Sequence, residues 1–252
     1  MNLLTWNIQA GIGASRYRDY LFHAHRQMIH TSSKTAALGH IAREIAPYDV
    51  VCLQEIDLGG RRSGYRSQVD AIALQSGHAH VAVQENRTIP GVSRHGNAIL
   101  SHWPLARVRD MKLPGRIAGR GCLVADVEGP ARFRVACLHL SLGAPAQMVQ
   151  LAAVADALRD AAAWVAMGDF NCEARDAPLA AFRQMSGGKL PHPAPKTFPS
   201  WRPRRDYDHI VSGGELSLTN YRAEAATFSD HLPVSARVIG CPIDGQGPHD
   251  QR

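Results

Sequence analysis

Ala163-Trp164-Val165-Ala166-Met167-Gly168-Asp169-Phe170-Asn171 is an apolar run that stops on a glycine and opens into a carboxylate and an amide. An uninterrupted apolar stretch of this length, bounded by polar residues, reads as a strand buried on both faces. Its Gly-Asp-x-Asn ending puts Asp169 and Asn171 at the strand's C-terminal edge, where open α/β sheets place their ligand crevices. Along an extended edge, alternation predicts both side chains on one face with Phe170 packed behind.

Outward from this stretch, other polar islands end or open apolar runs: Thr5-Trp6-Asn7, Leu53-Gln54-Glu55, Leu138-His139-Leu140 and Ser229-Asp230-His231-Leu232-Pro233. Tyr207-Asp208-His209-Ile210 is a looser member. Apolar runs of strand length predict strands at Leu3–Ile8, Val50–Ile56, Ala79–Val83, Ala98–Leu100, Leu123–Val127, Arg134–Leu138, Trp164–Met167, His209–Val211 and Val234–Val238. Helical spacing predicts helices over Lys34–Ile45, Gln68–Gln75, Ala146–Ala161 and Pro178–Met185, the first with Ser32 or Ser33 as N-cap. Strands outnumber helices, and several neighbours have no helix between them. A singly wound parallel sheet does not fit that order. The expected fold is α/β (α+β): a four-layer sandwich of two packed mixed β-sheets flanked by helices.

The chain has 252 residues with a hydrophobic fraction of 45%, enough for a sizeable core. No linker divides it, so one catalytic domain is expected over residues 1–239. Residues 240–252 have turn formers without periodicity and read as a flexible tail. No apolar run approaches the ~18–20 residues that span a bilayer. The N-terminus opens directly into a strand pattern, without a basic region or cleavage site, which predicts a cytoplasmic protein. Five cysteines lack metal-ligand spacing and read as reduced and structural.

The net charge of +6 favours polyanionic partners. Arg61, Arg62 and Arg66 follow Glu55, and Arg202, Arg204 and Arg205 precede Asp208. Each cluster either steers phosphate at a cleft mouth or is a solvated basic face. Residues 14–31, rich in Arg, Tyr and His, should overhang the same cleft. They read either as a surface that stacks on bases or clamps a phosphorylated headgroup, or as an ordinary surface helix.

In their order and spacing, the islands resemble the endonuclease/exonuclease/phosphatase superfamily of metal-dependent phosphoesterases, its deoxyribonuclease/sphingomyelinase-like branch and short bacterial members above all. The resemblance runs from Asn2 to about Val238. It includes the strings Glu55-Ile56-Asp57 with Arg62-Ser63, Gly96-Asn97-Ala98-Ile99-Leu100-Ser101, and Thr197-Phe198-Pro199.

What the resemblance implies fits the residue chemistry. Glu55 ends a buried strand, where a lone carboxylate is costly unless a cation is near, so it is the first metal ligand. Asp230 and Asn7 complete the metal set, and Mg²⁺ (or Mn²⁺) suits so sparse an arrangement. His231 is expected as general base, oriented by Asp208 rather than Asp206, while His209 is structural. Asp169 would position the attacking water or a second metal, and Asn171 would donate to the phosphoryl oxygen. His139 stands where the deoxyribonuclease branch has a phosphate-contacting histidine that protonates the leaving oxygen. Deoxyribonuclease supports that histidine with a glutamate. The matching stretch here offers Asn97, which leaves phosphate contact as the firmer role for His139. Arg62 and Arg120 are further phosphate contacts.

The expected reaction is hydrolysis of a phosphodiester by in-line attack of water. The substrate is a lipid headgroup or small phosphodiester, with nucleic acid as the alternative. A third reading, an inactive phosphate-binding module, conflicts with the presence of every metal and base residue. A monomer without a stable protein partner is expected.

Overall fold

The computed structural model describes residues 1–9, 32–60, 63–90, 93–115, 119–226 and 228–239. Among them are eleven strands: β1 (Asn2–Asn7), β2 (Val50–Asp57), β3 (His80–Ile89), β4 (Ser93–Ser101), β5 (Leu105–Lys112), β6 (Gly121–Glu128), β7 (Arg132–His139), β8 (Ala163–Asp169), β9 (Asp208–Gly214), β10 (Ser217–Ala223) and β11 (Val234–Ile239). The four helices are α1 (Ser32–Ile45), α2 (Gln68–Ser76), α3 (Ala144–Leu158) and α4 (Ala177–Ser186).

The strands form a six-stranded sheet in the order β10-β11-β1-β2-β4-β3 and a five-stranded sheet in the order β5-β6-β7-β8-β9. Both are mixed. β1 runs parallel to β2 and β7 parallel to β8, with the other pairs antiparallel.

Strand alternation sorts the apolar side chains into three layers of core. Leu3, Val50, Cys52 and Ile99 of the first sheet meet Leu123, Val135, Cys137, Val165, Met167 and Ile210 of the second. The intervening residues face outward. Leu4, Trp6, Val51 and Leu53 pack under Ile41 and Ile45 of α1 and Ile72 of α2. Ala136, Leu138, Trp164 and Ala166 pack under Leu151, Val154 and Leu158 of α3 and Phe182 of α4. The result is helix, sheet, sheet, helix, the expected four layers.

Ends of elements differ from the sequence reading in instructive places. Both sheets carry an edge strand that was not predicted, β5 and β10. The β3–β4 pair extends well past its apolar centre on both sides. α1 begins at Ser32, so Ser32 and Ser33 lie in its first turn rather than capping it. Four cysteines, Cys52, Cys122, Cys137 and Cys172, are free and buried. Among the described residues no helix is long and apolar enough to cross a membrane. Residues 14–31, Arg61, Arg62 and the tail 240–252 lie outside the described residues.

Candidate active site

The two parallel pairs end at the same edge of the sandwich. Asn7 lies beside Gln54, and His139 beside Asp169. Asp208 opens β9 directly opposite Asp169. Topology alone therefore brings residues from both sheets to one rim.

Local backbone distortions aim them. The β2–β4 register slips between Leu53 and Ile56, and Glu55 sits in the bulge at φ +57°. Gln9 (φ +45°) and Asn171 (φ +51°) at the same rim are also left-handed. Such non-glycine positions cost about 1–3 kcal/mol each and persist where surrounding structure fixes them, often at functional sites. Gly168 has a different reason: a Cβ there would lie 1.9 Å from the Leu138 carbonyl oxygen. Only glycine lets β8 run that close to β7.

A hydrogen-bonded set results. The Asn7 amide donates to Asp169 Oδ2 at 3.1 Å and to Glu55 Oε1 at 3.4 Å. His139 Nε2 stands 3.4 Å from Asp169 Oδ2 and 4.0 Å from Glu55 Oε1. His231 Nδ1 lies 2.8 Å from Asp208 Oδ2, and its Nε2 lies 4.0 Å from Asp169 Oδ2. Thr197 Oγ1 donates to Asp208 Oδ2 at 2.5 Å, while Asp208 Oδ1 is buried without a hydrogen-bond partner among the described residues. Trp6 Nε1 holds the His231 carbonyl at 2.9 Å, and Phe198 packs on the imidazole with centroids 4.8 Å apart. Gln9 Nε2 donates to Asp230 Oδ2 at 3.2 Å.

Burial and crowding set the protonation states. Burial pushes the Asp169 carboxyl up to about 7, with Asp208 adding to the shift and His231 opposing it. Burial also raises Asp230, helped by Glu55. For His231 burial works against the charge, yet Asp208, Asp169 and Asp230 together outweigh it and push the imidazole up to about 10. His139 goes the other way: burial, then the Arg120 guanidinium, hold it neutral, well below its ordinary value. The rim thus carries more negative charge than its own side chains neutralise. Asp169, Asp208 and His231 offer ligand atoms within 4.8 Å of one another, a group that could hold a metal ion. The orphaned Asp208 Oδ1 and the clustered carboxylates fit a cation and are costly without one.

Most of the residues singled out in the sequence converge here: Asn7, Glu55, His139, Asp169, Asp208, Asp230 and His231. Asp206 does not; it is buried against Lys196 Nζ (2.5 Å) and the Ala174 amide, in a network with Glu173 that ties down the loop before β9. His209 is fully buried on the Cys172 carbonyl. Asn171 corrects the alternation argument. The chain turns after Asp169, and the Asn171 backbone amide caps Asp169 Oδ1 at 2.9 Å. Its side-chain amide donates to the Leu140 carbonyl, and its own carbonyl accepts from Gln147. Asn97 is also corrected: it is fully buried, donating to Gln84 and the Gly121 carbonyl, and does not line the cleft. Arg120 lies on His139, its Nη1 against Nε2 and 3.0 Å from Nδ1, where the resemblance would have a supporting glutamate. Arg62 lies outside the described residues.

Beside Glu55 and His139 opens a cleft with a cavity volume of about 210 Å³, lined also by Asn86, Arg87, His95, Gly96, Gly119 and Arg120. The sequence reading missed Gln9 and the β3–β4 wall of this cleft. It noted Thr197 only as part of a string. Gln9 follows its strand without any pattern of its own, and the wall is polar and so carries no apolar period.

A family model described as Endonuclease/Exonuclease/phosphatase family matches residues 4–231. The chain belongs to that family. Its members are metal-dependent phosphoesterases that typically use a divalent ion. An endonuclease/exonuclease/phosphatase from Beutenbergia cavernae is 19% identical with a TM-score of 0.72, covering 96% of this chain and 72% of that one. A mannosyl-6-phosphatase from Bacteroides thetaiotaomicron is 13% identical with a TM-score of 0.70, covering 95% and 99%. Sphingomyelinase C from Streptomyces griseocarneus is 17% identical with a TM-score of 0.64, covering 96% and 99%. At these identities the likeness is one of fold. No curated protein matches the chain by sequence.

Proposed function

We propose that the chain is a divalent-metal-dependent hydrolase of phosphodiester bonds, with water attacking in line and His231 as general base. The observation that carries this is the His231 geometry. Nδ1–H donates to Asp208, so Nε2 faces Asp169 Oδ2 across 4.0 Å, too long for a direct bond and suited to one water between them. Asp169 orients that water, and Nε2 takes its proton as the oxygen attacks phosphorus. Neutral His139, with the Arg120 guanidinium donating to its ring, contacts the phosphoryl group without supplying a proton to the leaving group. Arg120 adds positive charge beside it. Asn171 shapes this site through its backbone, capping Asp169.

Glu55 and Asp169, drawn together by the Asn7 amide, with Asp230 beside Glu55, would hold the ion. Oxygen donors without thiolate suit Mg²⁺, with Mn²⁺ as substitute. When bound, such an ion neutralises phosphoryl charge and relieves the field that keeps His231 protonated.

For the substrate, the sphingomyelinase and mannosyl-6-phosphatase among the similar structures favour a lipid headgroup or small phosphate ester. The net charge of +6 keeps nucleic acid as a second reading. The experiment is hydrolysis of bis(p-nitrophenyl) phosphate with Mg²⁺ or Mn²⁺, with and without chelator. Turnover indifferent to chelator removes the metal. Plasmid nicking and headgroup release, each at two salt concentrations, then separate the substrates, because nuclease capture through basic contacts weakens as salt rises.

A further inference from the structure

Residues 187–207 join α4 to β9 with no helix or strand beyond two single β-bridges, Lys189 with Ser212 and Phe198 with Arg205. A connection of this length inside a compact domain is uncommon without a function. Its hairpin at 197–205 is partly or fully exposed from Pro199 onward, yet it grips both segments that carry the proposed base. Thr197 Oγ1 donates to Asp208, and the Leu232 amide donates to the Thr197 carbonyl at 2.9 Å. The Ser200 amide donates to the Asp230 carbonyl at 2.7 Å, and the Ser200 hydroxyl to the Ser229 carbonyl at 2.6 Å. Phe198 lies against the His231 ring. Where this hairpin stands therefore decides where the Asp208–His231 pair stands.

The base of the hairpin is fastened by charge. Glu173, in the turn that follows Asp169 and Asn171, is buried and pairs with Lys196 Nζ at 3.3 Å and with the Arg205 guanidinium. Lys196 and Arg205 sit on opposite legs of the hairpin, so one buried carboxylate beside the Asp169 turn holds both. Lys196 Nζ also reaches Asp206 Oδ1 at 2.5 Å, and Asp206 Oδ2 accepts the Ala174 amide at 3.0 Å. The turn is itself fixed, with the Glu173 amide donating to Asp176 Oδ2 at 2.8 Å. Three segments thus meet at one cluster: the turn after Asp169, the hairpin that leads to Asp208, and through it the loop with His231. Buried carboxylates are costly, and apolar packing would stabilise a loop equally well. Charge-assisted hydrogen bonds add direction, because donor and acceptor fit in one arrangement only.

We propose that Glu173 and Asp206, bridged by Lys196, are positioning residues for the hydrolysis: they set the hairpin that keeps His231 and Asp208 in register with Asp169. This rests on the phosphodiesterase reading. A general base works only within hydrogen-bond reach of its water, and a displacement of about 1 Å costs up to about 10²-fold in rate. The cluster acts through the hairpin and not on the substrate, so its loss lowers kcat and leaves KM in place.

The test pairs steady-state hydrolysis of bis(p-nitrophenyl) phosphate under Mg²⁺ with proton NMR of the same proteins. The His231 Nδ1–H proton, bonded to Asp208, gives a low-field signal identified by its loss in His231→Gln. Lys196→Met lowers kcat about tenfold or more while KM changes less than about twofold, and the low-field signal broadens or is lost. Lys196→Arg, which still bridges both carboxylates, restores kcat and signal. Arg205→Gln replaces a half-exposed side chain and leaves Lys196 in place, so it tests the same cluster even where Lys196→Met folds poorly. It moves kcat the same way by a smaller factor. A thermal midpoint that falls while kcat and the signal stay unchanged in both variants overturns the positioning role and leaves the hydrolase standing. A change confined to KM does the same. No turnover by the wild type overturns the hydrolase and the positioning role together.

Discussion

His231 donates its Nδ1–H to Asp208 Oδ2 at 2.8 Å, and this bond decides which imidazole nitrogen faces Asp169. A carboxylate can only accept, so the proton sits on Nδ1 and Nε2 keeps a lone pair toward the water position once the ring is neutral. Asp208 is itself held by Thr197.

Asp208→Asn tests this bond. An amide can offer NH₂ to Nδ1 and select the wrong tautomer. The expected outcome in steady-state hydrolysis of bis(p-nitrophenyl) phosphate is a fall in kcat of about 10²–10⁴-fold with little change in KM. A loss smaller than about tenfold would contradict an orienting role.

Much of this site was legible in the sequence, for a physical reason. Buried strands are apolar runs, and a carboxylate or histidine at the end of one stands out against them. Glu55, His139, Asp169 and Asp208 were all visible that way. β5 and β10 were not, because both are edge strands whose side chains are mostly exposed and carry no apolar run. Asn171 misled because a period-two argument assumes the strand continues, whereas the backbone turns left-handed there. Asn97 misled because a polar residue in a strand can be consumed by a buried partner, here Gln84.

His139 is held neutral by burial and Arg120. In the proposed mechanism it contacts phosphate as a neutral ring, so it should contribute no acid limb to the pH–rate profile. His139→Gln, which keeps an amide donor, should retain about tenfold more activity than His139→Ala. An acid limb that disappears in His139→Gln would show instead that this residue gives up a proton.

Proton release should accompany metal uptake. Asp169 holds its proton up to about 7 in the metal-free protein, and a ligand carboxylate must be ionised. Apparent affinity for Mg²⁺ or Mn²⁺ should therefore rise with pH through about 7. Calorimetry in buffers of different ionisation enthalpy should register more proton release at pH 6 than at pH 8. Affinity that stays flat over this range would mean the cation binds away from Asp169.

His78 predicts the acid limb of stability, away from the active site. Burial pushes it from 6.5 down to about 4. Its Nε2 donates to the Tyr48 carbonyl at 2.9 Å, Nδ1 meets the Ser76 hydroxyl at 2.7 Å, and the ring stacks on His102 at 4.1 Å. Because the folded value lies below the unfolded one, the unfolded chain takes up the proton first. The contribution is complete above about 6.5 and is lost as pH falls toward 4, up to about 3 kcal/mol in all. Urea midpoints between pH 7 and 4 should fall less steeply in His78→Gln than in the wild type. Parallel slopes would place the acid sensitivity elsewhere.

In the proposed mechanism Glu55, Asp169 and Asp230 hold one divalent cation at the rim of the paired sheets, with His231 beside it as the base. Anomalous diffraction from crystals grown with Mn²⁺ tests it most directly. The predicted result is a peak about 2.2 Å from a Glu55 carboxylate oxygen, beside Asp169 and on the Nε2 side of His231. A peak confined to another part of the molecule, or none at saturating Mn²⁺, would contradict it.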